Sequence, residues 1–190
     1  MAAATRTERI IAAAAISVVV AGCGGGGGAG TASVSRAERQ TLRSYVARIE
    51  PLRLGVNKLL YGAGPLLCGY REQRLSAAAA QRGMRRLERR FAAYEARVAA
   101  VQPVPPDLVA AQHAYAHTYV LEDAYLRALT AALPMRDWAS LPHFESRQRR
   151  AIVAWRAAVA LEAARVGVPV PSDLAVAGGG EMAPSPLEDE

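Results

Sequence analysis

The chain has 190 residues, 23 of them basic against 17 acidic, a net charge of +6 that leaves room for anionic partners. That length suits one domain with tails, and its apolar residues include so many alanines that the core must be shallow and built from closely packed helices. No stretch alternates β-branched or aromatic residues with polar ones, which argues against a β fold.

At the start, Arg6 and Arg9 precede an apolar stretch, Ile10 to Ala21, which closes on Val20-Ala21-Gly22-Cys23. A positive segment, a short apolar one and small residues at a cut site read as a secretory signal peptide over 1–22. A spanning helix would need about 18 or more apolar residues. With cysteine directly after the small pair, the segment resembles a bacterial lipoprotein signal, whose lipobox is an aliphatic residue, two small residues and Cys. The resemblance implies cleavage before Cys23 and a diacylglyceryl group on its sulfur. The protein is then held by acyl chains such as palmitate at the extracytoplasmic face of the cell membrane. It transfers no activity. Two or more acyl chains hold a protein stably where one does not. Residues 23–34, with Gly24 to Gly28 and Gly30, are the expected flexible tether. Cys68 is then left without an intramolecular disulfide partner, and its setting, Leu66-Leu67-Cys68-Gly69, predicts a buried small apolar residue.

The span 35–167 predicts an all-α domain, a four-helix up-down bundle. Ser33 or Ser35 opens the first helix, which carries Leu42, Tyr45, Ile49, Leu52, Val56 and Leu59 at steps of three and four as far as Leu60. Pro51 predicts a kink or break near Glu50. Three glycines and Pro65 make Tyr61 to Gln73 a loop. Ser76 caps the second helix, whose stripe is Met84, Leu87, Phe91, Tyr94, Val98 and Val101. Pro103, Pro105 and Pro106 end it and start the third, which bears Leu108, Tyr115, Leu126, Leu129 and Leu133. After Pro134 to Pro142 the fourth runs from about His143 to Val166, with Phe144, Ile152, Trp155 and Val159 inward; Arg165 and Gly167 mark its end. Residues 168–190, with prolines, three successive glycines and only acidic charges, read as a disordered acidic tail.

Inside these stripes stand polar residues. Glu122 lies between Leu129 and Tyr115 in angle, Glu162 at the angle of Phe144, and Gln148 beside it. A buried carboxylate needs a partner or a raised pKa, so Glu122, Glu162 and Tyr115 are the candidate lining of a ligand pocket. For Glu122 the expected partner is Arg86, Arg90 or a tyrosine hydroxyl. Glu122 and Glu162 are offset by about 12 Å along the bundle at 1.5 Å per residue, which sets them in different sites. His113 and His117, at i and i+4, are candidate metal ligands, but they point away from the stripe and lack the glutamate of a zincin, so they read as surface histidines and no cofactor is expected.

Arg82, Arg85, Arg86 and Arg89 share the outer side of the second helix. Such a face suits an anionic partner: lipid head groups near the anchor, a cell-wall polymer or an acidic envelope protein. Nucleic acid is not an expected partner of an exported lipoprotein. Serine-nucleophile, P-loop, dinucleotide and EF-hand signatures are absent, and the reading is a non-enzymatic binding or scaffolding module, the alternative being a small-molecule or metal-binding bundle.

Overall fold

The computed structural model describes residues 33–174 and 181–186. Among these the secondary structure is helical, without a strand: α1 (Arg36–Leu60), α2 (Ala63–Arg71), α3 (Ala77–Ala99), α4 (Val109–Ala132) and α5 (Glu145–Val166). The four long helices coincide with the four apolar stripes. Cys23 and the expected signal peptide lie outside the described residues. No described helix is long and apolar enough to cross a membrane.

Three of the helix ends have a local cause. The Ser35 hydroxyl accepts the Glu38 N–H at 3.1 Å while the Glu38 carboxylate accepts the Ser35 N–H at 2.8 Å, a reciprocal cap that opens α1. The Ser35 backbone N–H, ahead of its hydroxyl and Arg165, holds the Glu38 carboxyl at about 2. Ser76 accepts the Ala79 N–H and opens α3. Gly167 closes α5 in the left-handed region at φ +68°, where its missing Cβ avoids strain.

Near Glu50, where a kink or break is expected, there is no break: α1 runs on through Pro51. A proline inside a helix costs about 3 kcal/mol, but Leu42, Tyr45, Ile49, Leu52, Val56 and Leu59 are all buried from both sides of it, at roughly 2 kcal/mol each. The segment 61–73 is not a loop but holds α2. Pro65 falls in the first turn, where a backbone N–H has no helical partner to lose. Its glycines do not uncoil it because α2 packs on α3, and closely: a Cβ on Gly83 would stand 2.6 Å from Leu66 Cδ2.

The core is aromatic at its centre. The Tyr115 ring stacks on Trp155 at 4.0 Å and meets Tyr119 edge-on at 5.3 Å, and Tyr119 lies along Phe91 at 5.7 Å. Buried polar ends find one another: Trp155 Nε1 donates to the Tyr45 hydroxyl at 2.7 Å, which donates to Gln112 Oε1 at 2.5 Å, and Gln112 Nε2 donates to the Val98 carbonyl at 3.0 Å.

The C-terminal stretch also departs from expectation. Its described residues, 168–174 and 181–186, pack on the helices: Val168, Leu174 and Glu181 are buried, and Met182 and Ala183 lie against the core. The cause is a pair of arginines that the tail's acids reach.

Candidate functional site

Arg53 follows Ile49 by four residues and precedes Val56 by three; Arg156 stands in the same register between Ile152 and Val159. Position on the stripe turns both inward, and they are 2% and 5% exposed. A buried guanidinium costs several kcal/mol unless it is paired. Glu50, one turn before Arg53, clasps it with both oxygens at 2.7 and 2.9 Å. The tail supplies the rest. Asp173 bonds Arg53, and Glu181 brings its Oε1 to 3.6 Å from Arg53 Nη1 and 3.3 Å from Arg156 Nη2. Burial pushes the Glu181 carboxyl up in spite of both arginines. The Tyr115 and Tyr119 hydroxyls, 2.8 Å apart, close the same pocket; burial first, and the Glu181 charge among further causes, push both phenols far up.

The helices also bind the backbone of 181–186. Asn57 Oδ1 accepts the Glu181 N–H at 2.6 Å, Glu122 Oε1 accepts the Ala183 N–H at 2.7 Å, and the Tyr125 hydroxyl donates to the Pro184 carbonyl at 3.5 Å. Glu122's other oxygen accepts from Gln148 Nε2 at 3.0 Å. Both lone-pair faces of this carboxylate are thus used, yet burial still pushes its pKa up to about 7. Glu181 itself sits at φ +68°, a conformation that strains any residue with a Cβ.

Two clefts flank the segment. One, of about 820 Å³, is bordered by Tyr61, Pro65, Glu145, Arg149 and Met182; the other, of about 220 Å³, by Leu67, Tyr70, Trp138 and Pro186. Gly64, Cys68 and Pro184 border both. Cys68 is half-buried here, not buried as expected, because this groove opens beside it.

The expected site residues separate. Tyr115 and Glu122 line the region filled by 181–186. Glu122 meets an amide and a backbone N–H instead of Arg86 or Arg90, which are exposed on α3. Glu162 is elsewhere: Arg165 takes both its oxygens at 2.7 Å and reaches on to Glu38 at 3.1 Å. Arg82, Arg85, Arg86 and Arg89 are all exposed. His113 and His117 are exposed too, sharing a shallow hollow with Arg147, whose charge opposes a cation. Among the described residues, no three potential metal-ligating side chains come together.

Arg53, Arg156 and Glu181 were missed. For the arginines a signal exists, a cation at the i+4 slot of an apolar stripe. Nothing local marks Glu181, whose partners lie on α1 and α5.

No family model matches the chain, and neither curated proteins nor solved structures show a match to it.

Proposed function

We propose that this chain is a non-catalytic binding module, anchored through a lipid on Cys23 at the extracytoplasmic face of a membrane. Its long helices form an up-down-up-down bundle, and its interior receives a carboxylate-bearing ligand. Support for the antiparallel order comes from hydrogen bonds that join helix starts to helix ends: Arg39 Nε to the Val166 carbonyl at 3.1 Å, Gln81 Nε2 to the Thr130 carbonyl at 3.1 Å, and Gln112 to Val98.

One observation carries the binding reading: two buried arginines from different helices converge on a single carboxylate that neither helix supplies. A buried cation pair needs anions; Glu50 of α1 meets part of that need at Arg53, and the carboxylate shared with Arg156 comes from outside the long helices. Arg53 and Arg156 hold the charge, Tyr115 and Tyr119 close the pocket, and Trp155, stacked on Tyr115 at 4.0 Å, holds that ring in place.

The test is rescue. Glu181→Ala removes a –CH2–COO⁻ unit and leaves beside both arginines a vacancy the shape of acetate. The full-length variant should unfold at a lower temperature than the parent. Acetate should raise its midpoint by several degrees more than equal ionic strength of chloride does, through binding to the folded state alone. A midpoint indifferent to acetate would sink the reading.

A further inference from the structure

Resting on that reading, we infer that the groove recognises a glutamate-bearing peptide segment of a partner polypeptide, and that residues 181–186 are an internal copy of that ligand which keeps the site occupied. The argument begins with what the helices bind. Asn57 and Glu122 accept the N–H groups of residues 181 and 183, and Tyr125 reaches the carbonyl of 184. Two N–H groups and a carbonyl held by side chains of two helices mean that the groove binds main chain as well as a carboxylate. Backbone contacts serve any sequence, so selectivity falls to the glutamate between Arg53 and Arg156. A small carboxylic acid would leave Asn57 and Glu122 without their donors, which is why the ligand class is a peptide.

The way the segment fills the groove supports an exchangeable occupant over a permanent strap. Clefts of about 820 and 220 Å³ remain on its two sides, beside Met182 and beside Pro184 to Pro186. Side chains larger than the tail's own would find apolar surface there: Leu60 and Tyr61 on one side, Leu67 and Trp138 on the other. The tail also holds its key residue in a strained conformation, at φ +68°. A ligand free to approach with relaxed backbone avoids that strain. Charge agrees: among the described residues, the acids seen to reach Arg156 and the far side of Arg53 come from the tail, so an acidic partner segment offers the same complement.

A tethered tail competes at an effective concentration in the millimolar range, so the parent should bind an added peptide poorly. The probe is the peptide Glu-Met-Ala-Pro-Ser-Pro, blocked at both ends and labelled, followed by fluorescence anisotropy. It should bind the full-length Glu181→Ala chain at least tenfold more tightly than the parent, and replacing its glutamate by glutamine should cost at least tenfold. In the parent, millimolar unlabelled peptide should speed hydrogen exchange at residues 181–186; this readout needs no substitution. Acetate rescue without peptide binding would overturn the inference and leave the carboxylate site standing. Failure of both would remove the two together. Tail-dependent dimers of the parent, lost in Glu181→Ala, would mean that copies exchange tails, and would overturn the partner assignment.

Discussion

Glu122 shows how one buried side chain couples the groove to pH. It is 2% exposed, it accepts from Gln148 and from the Ala183 N–H, and Glu145 lies near enough to add repulsion. Burial dominates and raises its pKa from 4.5 to about 7. In the folded state it therefore holds a proton that the unfolded chain has released between those values. Stability from this group is full below pH 4.5 and is lost as pH rises through about 7, on the order of 3 kcal/mol in all. Glu181, also raised, has the same sign. Glu38, held down at about 2, has the opposite sign and acts only at lower pH. Urea midpoints at pH 5 and pH 8 should differ in the parent, and in Glu122→Gln much of that difference should vanish. An undiminished difference would place the titration elsewhere.

The helices illustrate how tertiary burial outweighs local preference. α1 carries both Pro51 and Gly55, residues that disfavour a helix, yet it spans the domain without interruption. The two have different meanings. Pro51 is exposed and only tolerated, while Gly55 has a packing role: a Cβ there would stand 2.5 Å from the Tyr94 hydroxyl oxygen and 2.8 Å from its Cε1. A rigid ring cannot yield as a flexible side chain does. Gly55→Ala, which raises helix propensity by about 1 kcal/mol, should nonetheless destabilise by about 1–3 kcal/mol through overpacking. Thermal or urea unfolding gives the sign, and a gain in stability would mean that Tyr94 swings out without loss. α2 follows the same logic: a Cβ on its Gly69 would stand 2.9 Å from Leu75 Cδ1, and its Leu66 packs onto Gly83 of α3.

For the whole molecule, the proposed anchor and the proposed groove act together. A bundle held at a membrane surface meets partners that share that surface, which raises its effective concentration toward them. Cys23→Ser should move the protein from the membrane fraction to the soluble one, as an acyl anchor requires. Charge reversal at Arg82, Arg85, Arg86 and Arg89 should leave the anchored protein in place but weaken sedimentation of the unlipidated form with anionic vesicles. Retention of the serine variant in the membrane would refute the lipid anchor; unchanged vesicle binding would reduce the four arginines to a solvated face.

How much of this was legible depends on the range of the interaction concerned. Helical class, the four stripes, the ends at Ser76 and Gly167, and a start at Ser33 or Ser35 could be read because they depend on residues three to five apart. The candidate site was half legible: Glu122 and Tyr115 betrayed themselves as a polar group and an aromatic on an inward face. Arg53 and Arg156 carried the same sign in their spacing, but without a visible counter-charge an arginine in a stripe reads as one that snorkels to solvent. Only the tertiary structure brought Glu181 from the far end of the chain to those arginines, and only it made a ligand-like segment of what composition alone describes as a tail. By itself the sequence determined which faces are apolar, since that is a matter of local period; which buried charges meet was decided by folding, because burial makes an unpaired ion too costly and selects whichever partner the packed helices can reach.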